Sequence, residues 1–383
     1  MKVIDLRSDT FTQPTQEMRE AMYSAVVGDD VWDEDPTVHH LQATAAALFG
    51  KEDSLFVPSG CMGNLVCVGA HCTGRGEEVL LGNLCHIHVY EQGNISSLLG
   101  VHPRTVPNLP DGTLCLDALE AGIRTDNLHY PITRLICLEN THNKCGGRVL
   151  TVAYMQQVHQ IAKKHGLKVH VDGARIMNAA VALGVSVADL CKHADSVSAC
   201  MSKGLGSPTG AVVVGSKDFI QRCKRLRKAL GGGMRQAGVL AAPGLISLTK
   251  MPARLHEDHA NAKMLADGLS RMSSYGVSVE GAVETNIVMF RTTQISAAKL
   301  CELLLSTSDA HELTDGRVAQ PIEYGKGPEA TNGVDNGTGV SVKVMPIHGD
   351  VIRAVTYYHI SSEDIQLALD KIEGVLKAWV KTK

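Results

Sequence analysis

Lys203 and Asp172 are the residues whose types and setting suggest chemistry. Lys203 lies in DSVSACMSKGLGSPTGAVVVG, between two apolar runs and ahead of a glycine-rich turn. A lysine at that depth costs desolvation unless it is neutral or covalently engaged. Asp172 ends the earlier run KVHVD and is followed by Gly173-Ala174-Arg175. Read singly, Lys203 also fits a surface lysine on a hairpin, and Asp172 a helix N-cap. Together they match what pyridoxal phosphate needs. The lysine forms a Schiff base, and the carboxylate pairs with the pyridine nitrogen, raises its pKa and keeps it protonated. The segment PSGCMGN (58–64) adds a cradle for the phosphate. It opens a helix after SLFV, and backbone N–H groups there bind an anion without side-chain help, although glycine-rich turns have many other uses.

The periodicity predicts the elements that must hold these residues. Residues 14–28 read as a helix with Met18, Met22, Ala25 and Val26 on one face and Gly28 as its stop. Residues 37–50 repeat the pattern with Val38, Leu41, Ala45 and Leu48. A third helix spans about 152–165, with Thr151 as N-cap, Met155, Val158, Ile161 and Ala162 as its buried stripe, and Gly166 as its end. Apolar runs at 54–57, 78–81, 134–138, 168–171, 195–199 and 211–214 predict strands. Their alternation with helices implies an α/β fold with a mostly parallel sheet flanked by helices, where ligands bind beyond the carboxyl ends of the strands. PSGCMGN, ENTHN, DGAR and SKGLGSP each follow a predicted strand.

From about 251 the character changes. Helical stretches lead into TNIVMF (285–290), a Gly/Asn/Asp-rich segment around 325–339 carries two Asn-Gly turns, and VSVKVM and DVIRAVTYYHI read as strands. The last helix has Ser361–Asp364 as a capping box and buries Ile365, Leu369, Ile372, Leu376 and Trp379. The expected organisation is an N-terminal segment (1–14), a large domain (15–250) and a smaller C-terminal α+β domain (251–383).

Composition narrows the function classes. Thirty-seven basic residues against 40 acidic ones leave a net charge of -3, and no run of like charge reaches five residues. Nucleic acid and polybasic membrane binding are therefore not expected. No apolar stretch approaches a membrane span, and the charged start MKVIDLRSDT lacks the apolar core of a secretory signal. Eleven cysteines with no CxxC pair suit a reducing compartment and argue against a zinc ribbon, so no metal is expected. The expected location is cytoplasmic, with mitochondria as the alternative. No GxGxxG follows the first strand, which speaks against a nicotinamide dehydrogenase.

With these segments in view, the chain resembles the low-specificity L-threonine aldolases of the aminotransferase-like fold type I. The matching segments are DLRSDTFTQPT (5–15), GDDVWDEDPTV (28–38), PSGCMGNL (58–65), ENTHN (139–143), HVDGARIMNA (170–179), SKGLGSPTG (202–210) and GGGMRQAG (231–238). The resemblance implies that Lys203 is the Schiff-base lysine and Asp172 the partner of the pyridine nitrogen. Gly60, Cys61 and Met62 hold the phosphate through backbone amides. His86 stacks on the cofactor ring near the substrate hydroxyl; His88 is the other candidate, and alignment favours His86. His142 is the second histidine at that hydroxyl. Ser8, Arg175 and Arg353 bind the substrate carboxylate, and Arg235 reaches a neighbouring subunit's phosphate. Cys61 stands where the family often has Thr, and Tyr357 where it often has His; 307–348 is longer than in compact bacterial members.

The resemblance further implies cleavage of a small β-hydroxy amino acid, L-threonine or L-allo-threonine, to glycine and acetaldehyde. The expected assembly is a homo-oligomer, a dimer or dimer of dimers. Other readings are an aminotransferase or β-eliminating lyase on the same scaffold, or a pyridoxal phosphate-binding protein without turnover.

Overall fold

Runs whose side chains are buried throughout, such as Ser196–Cys200 and Ala211–Gly215, belong to one seven-stranded sheet. Its order is Asp53–Val57, Ala211–Gly215, Ser196–Cys200, Lys168–Asp172, Ile132–Glu139, Glu77–Gly82 and His102–Val106. Ala211–Gly215 runs antiparallel to both neighbours, and the remaining neighbours pair in parallel. The computed structural model describes residues 2–306 and 339–381. The chain divides into two units, Thr10–His259, which contains this sheet, and Met1–Asp9 with Ala260–Lys383.

Local chemistry sets the helices of the larger unit. Asp35 accepts hydrogen bonds from the Thr37 and Val38 amides and starts Pro36–Phe49, which ends on Gly50 at φ 61°. The Thr151 hydroxyl accepts from the Tyr154 amide and starts Val152–Lys164, whose Met155, Val158 and Ala162 are buried. The helix expected over 14–28 is shorter, Gln16–Tyr23. Beyond it the chain is claimed by other partners: the Thr37 hydroxyl donates to the Val26 carbonyl (2.6 Å), and the Gly28 amide donates to Asp35 (3.2 Å). Val26 is consequently exposed. The edge strand His102–Val106 carries no apolar alternation, since Val106 alone is buried and Pro103 is tolerated at an edge.

In the smaller unit an antiparallel sheet runs Met345–His348, Val351–Val355, Ile287–Thr292, Val277–Val279. A two-stranded parallel sheet joins Lys2–Asp5 to Val340–Lys343. The helix Ser362–Lys381 begins with the reciprocal Ser361–Asp364 bonds, and Ile365, Leu369, Ile372 and Leu376 enter a core with Phe290 and Leu265. Trp379 is only partly buried, and its indole N–H donates to the Gln294 carbonyl. Of the segment 307–348, residues 307–338 lie outside the described residues, as does nearly all of the stretch expected to hold the Asn-Gly turns. Among the described residues no helix is long and apolar enough to cross a membrane.

Candidate active site

Asp172 ends Lys168–Asp172 and is the register partner of Glu139, which ends the neighbouring parallel strand. Both carboxylates are buried, at 3% and 4% exposure. Asp172 Oδ1 accepts from the Ala174 amide (3.1 Å), and Oδ2 accepts from Asn64 Nδ2 (3.0 Å). The helix-cap alternative is thus met only in part: Asp172 holds its own turn, while Ile176–Leu183 starts after Arg175 without a side-chain cap. A Cβ on Gly173 would lie 2.8 Å from Val197 Cγ1, so glycine lets this turn hug the adjacent strand.

Asn64 is a hub that the motif reading missed. Its Nδ2 donates to Asp172 and to Glu91 Oε1 (2.8 Å), so both amide hydrogens go to carboxylates. Its oxygen therefore faces His170 Nε2 (3.1 Å), which must carry the proton. His170 Nδ1 then accepts from the Ser196 hydroxyl (2.9 Å), whose oxygen is left to accept from His71 Nε2 (2.8 Å). Burial pushes His170 down to about 4 and His71 down to about 3, consistent with two neutral rings. His86 behaves oppositely. Burial alone would lower its pKa, but the Glu91 bond (2.8 Å) and the charges of Asp172 and Glu91 together outweigh burial and raise it. His86 opens the short helix His86–Val89 and is half-buried, whereas His88 is exposed.

Lys203 follows Ser196–Cys200 and lines a pocket with Gly173, Ala174, Arg175 and Cys200. Its carbonyl accepts from the Thr12 hydroxyl (2.9 Å) and the Gly206 amide (2.8 Å). Its side chain makes no hydrogen bond or ion pair among the described residues. Gly60 and Gly63 let the helix Gly60–His71 approach Ser196–Cys200: a Cβ would lie 2.5 Å from Cys200 Sγ and 2.2 Å from Ser198 Oγ, respectively. Of the three amides expected to hold phosphate, that of Met62 donates to its own N-cap, Ser59 Oγ (3.2 Å). The cap takes that donor, and Gly60 and Cys61 keep the first-turn amides.

His142 is 1% exposed and packs where a Cβ on Gly112 would lie 2.9 Å from its own Cβ. Both ring nitrogens lack a hydrogen-bond partner among the described residues. The contacts described bring together Lys203, Asp172, Arg175, His86 and Cys61. They join His142 to that group only through Glu139, which holds the neighbouring Asn143 amide (2.8 Å). Arg235 is exposed and pairs with Asp29 (2.8 Å) in its own chain. In the smaller unit Arg353 is buried on Val351–Val355 and donates to the Arg7 carbonyl (3.1 Å), next to Ser8. Tyr357 is buried in that unit's core.

The donor set fits pyridoxal phosphate. Asp172 retains lone pairs for a ring N–H, the Lys203 amine is unengaged, and the cradle at Gly60 admits no Cβ. The beta-eliminating lyase family model matches residues 5–294. The chain belongs to that family and, within it, to the low-specificity L-threonine aldolases. Low-specificity L-threonine aldolase 1 of Arabidopsis thaliana is 55% identical over 305 residues, 78% of this chain and 85% of the relative. The low specificity L-threonine aldolase of Escherichia coli K12 is 44% identical over 302 residues, 79% of this chain and 88% of the relative. Solved structures share the fold type I architecture. The Leishmania major threonine aldolase matches with TM-score 0.76 at 16% identity, covering 97% of this chain and 99% of that one. A structure described as a putative L-allo-threonine aldolase from Listeria monocytogenes matches with TM-score 0.74 at 19% identity, covering 97% and 95%.

For this family member, the residues that motif spacing did not single out are Asn64, Glu91, Glu139 and Thr12. Asn64 closes PSGCMGN and Glu139 opens ENTHN, so both stood inside the quoted segments. Their roles are hydrogen bonds across the sheet, which spacing along the chain does not encode.

Proposed function

We propose that this pyridoxal phosphate-dependent lyase cleaves L-threonine and L-allo-threonine to glycine and acetaldehyde. The observation that carries the reading is the buried Asp172 carboxylate, tied through Asn64 and Glu91 to His86, with Lys203 within electrostatic range of the same ring. When bound, pyridoxal phosphate supplies an electron sink for the charge left at Cα after bond cleavage. Asp172 keeps a proton at the ring nitrogen. The amides of Gly60 and Cys61 bind the phosphate at the start of a twelve-residue helix. Lys203 would hold the group covalently, and its amine, when free, could hold a proton.

The β-hydroxyl proton has to be removed as the Cα–Cβ bond breaks. His86 and His142 are the groups assigned to that hydroxyl, since an imidazole titrates near working pH. The bond to Glu91 orients His86 by Nδ1 and leaves Nε2 for substrate or water. The resemblance assigns the substrate carboxylate to Arg175, Ser8 and Arg353, where guanidinium offers paired donors.

The same reading includes a homo-oligomer. Tyr23 (95% exposed) and Trp32 (74%) are large apolar side chains left in solvent, and Trp32 lies in the turn whose Asp29 holds Arg235. A second copy covering them would bury this turn, and the resemblance assigns Arg235 there to the neighbouring subunit's phosphate.

Incubation with L-threonine should release acetaldehyde and glycine in equal amounts, with no keto acid. Lys203→Ala should abolish both products and the borohydride-trapped cofactor. A keto acid product would favour an aminotransferase or eliminating lyase, and a coloured protein without turnover a binding role.

A further inference from the structure

Glu139 grips two separate segments at once. Its Oε2 accepts from the His86 amide (2.7 Å) and its Oε1 from the Asn143 amide (2.8 Å). His86 opens a four-residue helix whose preceding residue, Cys85, gives no side-chain cap. So short a helix has no stability of its own, and its first amide is satisfied from across the sheet. Asn143 follows His142 in a turn closed by the His142 amide to Arg148 carbonyl (2.9 Å) and the Gly147 amide to His142 carbonyl (2.9 Å) bonds. Glu139 itself is the last residue of a central strand.

A further buried carboxylate near Asp172 and Glu91 is electrostatically unfavourable, since Glu139 and Asp172 are register partners of a parallel pair and lie on the same face of the sheet. The geometry explains its presence. The two N–H donors meet different oxygens of the one group, and in Gln one of those two positions would be an NH2 group opposing its donor. A carboxylate is the side chain of this length that satisfies both, with charge-assisted bonds.

We propose that Glu139 is a positioning residue that fixes the backbones of the two histidine-bearing segments against one strand end, and so sets where His86 and His142 stand relative to each other. It touches neither substrate nor cofactor in this assignment. The inference rests on the reading that both histidines serve the substrate hydroxyl. Glu139 then acts on the step at Cβ, and threonine and allo-threonine, which differ in configuration there, should feel its loss unequally.

The test has two arms. In cofactor-free protein, amide hydrogen exchange is compared between wild type and Glu139→Met, which keeps the length of the side chain and removes both acceptor oxygens. The His86 and Asn143 amides should exchange faster together, by at least about tenfold, the effect of losing one charge-assisted bond. Residues 134–138 should keep their protection. In the loaded enzyme, saturated with cofactor, kcat should fall by about 10- to 100-fold, as for a misplaced reacting group, with KM within about twofold. The threonine to allo-threonine kcat ratio should change as well. Acceleration at one amide alone, or an unchanged kcat and ratio with both amides released, overturns the proposal. If Glu139→Met does not fold, Glu139→Gln keeps one acceptor oxygen: at least one of the two amides should then exchange about tenfold faster with the same fall in kcat, and no acceleration at either overturns the proposal. The exchange arm does not use catalysis: if wild-type enzyme cleaves no β-hydroxy amino acid, the functional reading fails, while joint release of the two amides still separates anchoring from that failure.

Discussion

Burial holds His71 and His170 neutral well below the pH at which an exposed histidine takes up its second proton. That fixes the sign of a pH effect. Their folded-state pKa values are about 3 and about 4, and an unfolded histidine titrates near ~6.5. As pH falls below that value, the unfolded chain takes up protons that the folded chain refuses. The stability present above about 6.5 is therefore lost toward pH 4, at up to about 1.4 kcal/mol per pH unit for each ring. His86, whose folded pKa is raised, contributes in the other direction: full below the unfolded value, and lost as pH rises through the folded one. Denaturant midpoints at pH 7, 6 and 5 check this. His71→Phe, placed beside the Phe219 ring that already stacks on His71 at 4.4 Å, should lessen the loss between pH 6.5 and 5. An identical pH dependence in the variant would remove His71 from the account. Lys203 and Asp172 were legible as residues because a charged side chain among apolar runs, at or just beyond a strand end, needs a reason. Asn64 and Glu91 were not, because an amide and a carboxylate acquire meaning only from the partners that folding brings to them.

At the scale of elements, helix Gly60–His71 owes its closeness to strand Ser196–Cys200 to missing side chains. Gly63→Ala would set a methyl 2.2 Å from Ser198 Oγ and 3.3 Å from its Cβ. We expect a loss of about 1–3 kcal/mol, the usual effect of overpacking, with weaker retention of the cofactor. Ser198→Ala removes the clashing oxygen, which is buried without a hydrogen-bond partner, so the double variant should recover much of the loss. Thermal midpoints of the four proteins measure the coupling; simple additivity would show that helix and strand are not in contact there. The strands of the large sheet were legible because continuous apolar runs are what a doubly covered sheet demands. His102–Val106 escaped notice because an edge exposes its polar residues. The helix from Gln16 stops early because Thr37 and Asp35 compete for the next backbone groups, a tertiary effect that periodicity omits.

For the whole molecule, assembly decides whether Arg235 serves its own subunit or another. Here it pairs with Asp29, and the turn is pinned further: the Asp30 amide donates to the Arg235 carbonyl (3.0 Å), and Asp35 accepts from Gly238 (2.8 Å). GDDVWDEDPTV and GGGMRQAG are thus one structural unit, although the sequence separates them by nearly two hundred residues. If the guanidinium also reaches a second copy's phosphate, inactive Lys203→Ala and Arg235→Ala subunits should regain part of the activity on mixing. Hybrid sites would then carry both wild-type residues. No recovery after verified subunit exchange would confine Arg235 to its own chain. Fold and family were legible at this scale because the motifs run through the chain in order. Domain limits were less so: Met1–Asp9 groups with Ala260–Lys383 because Lys2–Asp5 pairs with Val340–Lys343.

That pairing also has a consequence for how the chain is made. Ile4 and Leu6 are buried in a core whose other members all come after residue 260, and the strand that receives Lys2–Asp5 is Val340–Lys343, made more than 300 residues later. A ribosome emitting about 5–20 residues per second leaves these first residues waiting tens of seconds for their partners. During that interval Thr10–His259 can complete its own sheet. Until Val340–Lys343 emerges, Ile4 and Leu6 lack the core that buries them, and over that interval they offer chaperones a site to hold.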